Sequence, residues 1–531
     1  MSGLADRRRL LPHLAPWDEM RAGFAWDIPE RFNIATACCD DWAGIEPGRT
    51  AIIDLAGGER RVWTFADLKA ASDALAGALS RRGVGRGDRV AILLAQRAEV
   101  MVAHLATMKL GAVSLPLFAL FGPEALEYRL RDSGARAVVS DAAGLEKVGT
   151  LDLPDLALRI DADAWADLLS EAPAAPVETA AEDPAMMIYT SGTTGPPKGV
   201  LHAHRFLLGH MPCVETSLEG FPQDGDVAWT PADWAWIGGL MDLAFPALWF
   251  GVPLVAKRFA KFDADTAWAL MRDERVTCAF LPPTALKMLR RTDPPEGLSL
   301  RAVMSGGEAL GAGLLAWGRD ALGVAINEIY GQTECNLVMA SCAGTQDVVP
   351  GSLGRAVPGV EVTLRDADGR EVAEGEICVR GSPATFLGYW GKPEKTAEKW
   401  HGPPPETWRD GWLRTGDLGR REGEVISYVS RDDDVISSAG YRIGPTEIET
   451  CLTAHPQVVM CAVVGLPDET RGEAVTAFVV AEGATEGLED DLIAWVRARL
   501  SPHMAPRAVR FVPALPMTAT GKVQRRALRE A

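Results

Sequence analysis

The sequence predicts an α/β fold: a large N-terminal domain of parallel and mixed sheets with flanking helices and a β-rich portion, followed by a small C-terminal α+β domain. Three observations predict it. Between Thr64 and Ser140, short apolar runs of strand length alternate with helix-length amphipathic runs, the pattern of a parallel sheet covered on both faces. From about residue 350 the texture changes to short strands and turns. From Arg431 onward two helical patterns and several strands recur in a stretch long enough for an independent unit. A chain of 531 residues is too long for one core, and the boundary is set at 1–430 and 431–531.

The elements follow in order. Residues 1–50 are mixed and contain tryptophan. Thr64-Phe-Ala-Asp67 can form a capping box for a helix running toward Arg82. Residues 89–95 read as a buried strand, 99–110 as an apolar-faced helix, 112–117 as strand, 123–133 as helix and 137–140 as strand. Residues 151–184 are rich in Ala, Asp and Pro and read as surface structure. Beyond 200 come a helix at 203–217, a strand at 227–230, a helix at 263–275 and strands at 277–280, 301–305 and 325–330. Short strands follow at 360–365 and 375–380. The terminal unit holds helices at 445–454 and 488–500 and strands at 458–464, 474–480 and 508–512.

The stretch Met187-Ile-Tyr-Thr-Ser-Gly-Thr-Thr-Gly-Pro-Pro-Lys-Gly-Val200 carries the strongest chemical signal. An apolar strand runs into four hydroxyls (Thr190, Ser191, Thr193, Thr194), glycines at Gly192 and Gly195, two prolines, and Lys198. Glycines let backbone N–H groups turn toward an anion, hydroxyls add donors, and lysine adds a point charge. That set suits a polyphosphate. The Gly-x-x-x-x-Gly-Lys-Ser/Thr spacing of a Walker A loop is absent.

This stretch resembles the phosphate loop of AMP-forming adenylating enzymes: acyl-CoA synthetases, luciferases and the adenylation domains of peptide synthetases. Further segments match that family in order. Ser305-Gly-Gly-Glu308 and Tyr330-Gly-Gln-Thr-Glu334 each follow a strand, and ligand sites in open parallel sheets lie at the carboxyl ends of strands. The resemblance lays Gly307 and Glu308 along the adenine and stacks Tyr330 on it, with Gly331 and Gln332 beside it. It puts Thr333 at the α-phosphate and Glu334 on Mg2+, a hard cation that takes carboxylate and phosphate oxygens. Arg414-Thr-Gly-Asp417 supplies Asp417 to the ribose hydroxyls. In Arg431-Asp-Asp-Asp434, Arg431 contacts ribose and Asp433 is the hinge, although three consecutive acids leave the register open by one residue. In Ser438-Ala-Gly-Tyr-Arg442, Gly440 would border the pantetheine tunnel, with Tyr441 and Arg442 beside it. Pro516-Met-Thr-Ala-Thr-Gly-Lys-Val-Gln-Arg-Arg526 presents Lys522 as the catalytic lysine. Arg497 matches a position that touches a CoA phosphate. Trp234-Ala-Trp-Ile-Gly-Gly239 matches the acyl region, with Trp234, Trp236, Gly238 and Gly331 as the pocket. Arg31-Phe-Asn-Ile-Ala-Thr-Ala37 looks like the entry segment of medium-chain acyl-CoA synthetases.

The resemblance implies ligation of a small carboxylic acid to CoA at the expense of ATP, with Mg2+, through an acyl adenylate. In the resembling acetyl- and propionyl-specific enzymes a tryptophan follows the aromatic residue of the adenine segment and closes the acyl pocket. Here Gly331 stands there, so acids of about four to eight carbons are expected, each added methylene contributing roughly 0.8 kcal/mol. An alternative is an adenylating enzyme that loads a carrier protein in trans, since only nine residues follow Lys522. Two others are a luciferase-like oxygenase and a nucleotide sensor that has kept the fold, and retained Lys522 and Glu334 weigh against the latter.

Composition narrows the rest. A net charge of −18 and a pI of about 5.0 argue against a nucleic-acid surface. Nine cysteines without a Cys-x-x-Cys pair, and an odd count, fit reduced thiols in a cytoplasmic protein. Neither a signal-peptide core nor an apolar run of membrane-spanning length is present in the sequence.

Overall fold

The computed structural model describes residues 3–190, 196–307, 310–346, 348–431, 434–438, 441–468, 472–500, 502–518 and 522–530, with the backbone alone at 437, 441 and 442. Four sheets carry the chain. The first has seven strands, in the order Gly388–Tyr389, Lys198–Ala203, Pro184–Thr190, Val113–Pro116, Arg89–Leu93, Ala137–Ser140 and Leu158–Asp161. Its last five strands are parallel, and the first two run antiparallel to their neighbours. The second has nine strands, in the order Arg355–Ala356, Asn336–Ala340, Ile326–Gln332, Ala302–Gly306, Cys278–Phe280, Ala228–Trp229, Leu254–Ala256, Thr50–Asp54 and Arg61–Thr64. It is parallel in the middle and antiparallel at both ends.

Between these sheets lies a continuous core. The helix Ala98–Lys109 is buried along its whole length, which explains its nearly unbroken apolar sequence. Even Lys109 is buried there. Its ammonium meets Asp40 at 2.6 Å and the Ser72 hydroxyl at 2.9 Å, with Asp73 alongside, so the charge is paired where it is desolvated. The predicted capping box forms: Thr64 accepts from the Asp67 amide and Asp67 from the Thr64 amide, starting the helix Phe65–Arg81.

The third sheet is antiparallel, with strands Glu361–Arg365, Glu374–Arg380, Trp412–Glu422, Trp400–His401 and Val425–Arg431. The fourth belongs to the terminal unit and contains Ile436–Ser438, Tyr441–Ile443, Val458–Asp468, Gly472–Ala481 and Ala508–Phe511. Its strands alternate faces. Val463, Val475 and Val479 pack under the helices Pro445–Thr453 and Leu488–Arg499, while Ala462, Val464 and Phe478 face Leu515 and Leu528.

Two stretches differ from the sequence reading. Residues 151–184 are not only surface: Leu158–Asp161 forms the edge strand of the first sheet, and Ala166–Leu169 is a short helix. Four residues with one deeply buried apolar side chain, Ile160, are too few to show a period. Lys198 opens a strand rather than merely closing a loop, and the following helix begins only at Phe206.

Candidate active site

The parallel neighbours Ala302–Gly306 and Ile326–Gln332 end side by side, and their carboxyl ends bring two of the predicted segments together. Tyr330 is buried. Its hydroxyl donates to Asp417 Oδ2 at 2.8 Å, and the Gln332 amide donates to the same oxygen at 2.5 Å. Arg431 Nε donates to Oδ1 at 3.1 Å. Asp417 is 4% exposed, so three donors converge on one buried carboxylate. The ladder fixes this: Asp417 and Arg431 are register partners on the strands Trp412–Glu422 and Val425–Arg431. Burial, and next the Asp417 charge, push the Tyr330 phenol well above its usual value, which keeps it a neutral donor.

Glu334 lies in the turn between Ile326–Gln332 and Asn336–Ala340, with half-buried Thr333 preceding it. Glu334 Oε1 accepts from the Tyr389 hydroxyl at 2.5 Å. The Lys198 ammonium stands 4.5 Å from the centre of the Tyr389 ring, a cation–π contact. Burial lowers the Lys198 pKa, and the nearby Glu334 charge opposes that shift. Lys198 is the register partner of Thr190, so the two strands Pro184–Thr190 and Lys198–Ala203 present both ends of the predicted phosphate loop together. Ser191, Gly192, Thr193, Thr194 and Gly195 lie outside the described residues, as do Glu308, Asp433 and Gly440 and the side chains of Tyr441 and Arg442.

The terminal unit reaches this site through Lys522. A Cβ built on Gly307 would lie 3.9 Å from Lys522 Cε, so the lysine stem rests against the glycine. Gly307 has φ +97°, a backbone region that other residues rarely adopt. The lysine is held by a local turn: its amide donates to Thr518 Oγ1 at 3.0 Å and its carbonyl accepts from the Thr518 amide at 2.7 Å. Lys522 itself is exposed. Arg497 is exposed on the last turn of Leu488–Arg499, and no hydrogen bond or ion pair links it to Asp417 or Glu334 among the described residues.

The structure divides the expected acyl residues. Trp234 is 1% exposed and belongs to the central core. Trp236 is half-buried, its ring 5.7 Å from Phe118 and 5.8 Å from Phe121. A Cβ on Gly238 would come within 2.9 Å of the Phe280 ring, so the ring packs closer to this glycine than a side chain would allow. Gly331 corrects the sequence reading of an open gap. A Cβ there would lie 1.6 Å from the Asn336 carbonyl oxygen, so its side-chain direction meets the backbone of the neighbouring strand and not free space. Gly331 is demanded by the close approach of two strands at a register shift. Gly331→Ala is therefore expected to cost about 1–3 kcal/mol of stability, seen as a lower Tm, and to depress adenylation of all acids alike because Tyr330 and Gln332 flank the site. A preserved Tm with preference shifted toward acetate would contradict this.

Two residues of this site were not singled out from the sequence. Tyr389 reaches Glu334 because the two-residue strand Gly388–Tyr389 pairs with Lys198–Ala203, and no spacing rule links positions so far apart. Asp434 sits in the acidic run as one of three similar residues. It is ion-paired to Arg525 at 3.2 Å and to Arg529 at 2.9 Å.

Comparison with known proteins agrees with this geometry. The family model described as AMP-binding enzyme matches residues 39–390, and that described as AMP-binding enzyme C-terminal domain matches 447–522. The chain is 33% identical to acyl-coenzyme A synthetase ACSM4, mitochondrial, of Homo sapiens, over 95% of this chain and 91% of the relative. It is similar to the crystal structure of ATP-bound MatB from Rhodopseudomonas palustris, with a TM-score of 0.84 at 30% identity, covering 94% of this chain and 98% of that one. Against apo MatB, at the same identity and coverage, the TM-score is 0.75. The present arrangement is thus nearer the ATP-bound form. No helix among the described residues is long and apolar enough to cross a membrane.

Proposed function

The chain belongs to the AMP-binding enzyme family, and from that membership we infer that it is an ATP-dependent acyl-CoA synthetase. It converts a carboxylic acid, ATP and CoA to acyl-CoA, AMP and pyrophosphate through an acyl adenylate. The observation that carries the site assignment is the placement of Lys522 beside Gly307, together with the three-donor clasp on Asp417. Carrier-protein loading is the less favoured reading, since the similar proteins include acyl-coenzyme A synthetases.

In the first half-reaction an oxygen of the carboxylate attacks the α-phosphorus, the α–β phosphoanhydride bond breaks, and pyrophosphate departs. Two anions must meet, so cations are needed where charge gathers. Lys198 faces the departing phosphates, and Lys522 bridges carboxylate and α-phosphate. Asp417 trades protein donors for the ribose hydroxyls, and Tyr330 flanks the adenine. Glu334 fits a magnesium ion: Oε1 is taken by Tyr389, and the second oxygen remains as a hard donor beside the phosphates. When bound, the ion neutralises phosphate charge.

In the second half-reaction the CoA sulfur attacks the acyl carbon and AMP leaves. The terminal unit, residues 431–531, swings about Asp433, withdrawing Lys522 and bringing Gly440, Tyr441, Arg442 and Arg497 toward CoA. Its neighbour Asp434 is held by Arg525 and Arg529, which supports Asp433 as the pivot. Short- to medium-chain acids are the proposed substrates, with Trp236 and Gly238 by the acyl chain. All nine cysteines are free, which supports a cytoplasmic location. Pyrophosphate release and thioester formation on a panel of linear, branched and aromatic acids test the reading. Activity on several acids, each requiring both ATP and CoA, is expected. Turnover without CoA consumption would overturn it.

A further inference from the structure

A buried acid next to the acyl region has no part in the chemistry above. Asp242 lies one helical turn after Gly238, where Ile237–Gly239 continues into Leu240–Ala244. Its side chain is 7% exposed, among the fully buried Leu240, Met241 and Leu243. Oδ1 accepts from the Asn336 amide at 3.1 Å. His210 Nε2 stands 3.7 Å from that same oxygen, beyond hydrogen-bond reach. His210 Nδ1 is 2.7 Å from the Phe206 carbonyl oxygen, so Nδ1 carries the proton and Nε2 presents a lone pair. That nitrogen is buried without a hydrogen-bond partner among the described residues. Asp242 Oδ2 makes no hydrogen bond among the described residues.

A buried acceptor left without a donor is costly, and here two stand together. The group is also tied to the reaction centre. Asn336 is two residues beyond Glu334 and is the register partner of Gln332, which donates to Asp417. A Cβ on Gly238 would stand 3.6 Å from Oδ2 and 2.9 Å from the Phe280 ring, so glycine is what lets that ring and the acid sit side by side. An apolar ring beside an unserved acceptor pair suits a hydrocarbon chain that ends in, or bears, a donor. Burial pushes the His210 imidazole down to about 3, so it stays neutral and its Nε2 remains an acceptor.

We propose that Asp242, oriented by Asn336 and faced by His210, receives a hydrogen-bond-donor group, hydroxyl or amino, carried on the acyl chain away from its carboxylate. The preferred acids are then hydroxy- or amino-substituted rather than plain hydrocarbon. The proposal rests on the acyl-CoA synthetase reading and narrows its substrate class. Specificity of this kind is effective because a site built around polar groups rejects the analogue that leaves them unpaired.

The test compares matched acids on the full-length enzyme: hexanoate with its ω-hydroxy and ω-amino derivatives, and benzoate with its meta and para hydroxy and amino derivatives. At least one substituted acid should exceed its parent in kcat/KM by about tenfold or more, and comparison of the hydroxy and amino series identifies the donor. In Asp242→Leu the ratio of that acid to its parent should fall by about tenfold or more. Should that variant fail to fold, Asp242→Asn, close in shape, should show the same fall. The proposal is overturned if every parent acid surpasses its derivatives in the wild type, or if the ratio is unchanged in Asp242→Asn, which would leave Asp242 as no more than a support for Asn336. Ready turnover of the hydrocarbon acids in that case keeps the synthetase reading intact. No ATP- and CoA-dependent turnover of any acid overturns both.

Discussion

Lys522→Ala is expected to slow acyl-adenylate formation by about 10²–10³-fold, the usual loss when one preorganised group at developing charge is removed. CoA attack on supplied acyl adenylate should proceed at nearly the wild-type rate. The asymmetry comes from placement. The lysine stem rests on Gly307, at the carboxyl end of a strand beside Tyr330, and its side chain is otherwise exposed, so little folding energy depends on it. Its charge is needed while carboxylate and α-phosphate meet, and it leaves when the terminal unit turns. Pyrophosphate exchange reads the first half-reaction and thioester formation from synthetic adenylate reads the second. Equal losses in both would refute a role confined to adenylation.

Asp417→Ala is expected to lower kcat/KM for ATP by about two orders of magnitude. Hydrogen bonds to a charged group contribute about 1.5–3 kcal/mol each, and this carboxylate is proposed to take both ribose hydroxyls. The variant also strands the Tyr330 hydroxyl, the Gln332 amide and the Arg431 guanidinium, all three of which now donate to Asp417. The loss should fall mainly on KM for ATP, with saturation by the carboxylic acid little changed. Asp417→Asn should recover part of it, since the amide oxygen still accepts. An unaltered KM for ATP in Asp417→Ala would remove Asp417 from the nucleotide site.

Much of this was legible in the sequence because the signals are local. The capping box at Thr64 and Asp67, the strand at Ala137–Ser140 and the helix at Pro123–Ser133 are each specified by residues a few positions apart. The segments around Gly307 and Tyr330 were legible for the same reason, as runs of unusual residues after strands. Asp417, which lies inside the strand Trp412–Glu422, was reached only through the family resemblance of its segment. What escaped depends on long-range pairing. Tyr389 reaches Glu334 through a two-residue strand with no period of its own. Gly331 looked like an opening because a sequence does not reveal where a Cβ would point, and the Asn336 backbone already occupies that direction. Trp234 and Trp236 are two residues apart, yet one is core and the other half-buried among phenylalanines, a split that no strand or helix period decides. Asp242 was not singled out because a lone acid in an apolar run shows neither its burial nor its partners until the helix is packed.

The most direct measurement follows one oxygen atom. The enzyme is incubated with ATP, CoA and an acid labelled with oxygen-18 in its carboxylate, and the products are analysed by mass spectrometry. Attack of the carboxylate on the α-phosphorus places one labelled oxygen in AMP, with unlabelled pyrophosphate and one acyl-CoA for each AMP formed. ADP together with label in orthophosphate, or AMP released without label, would contradict an acyl-adenylate intermediate.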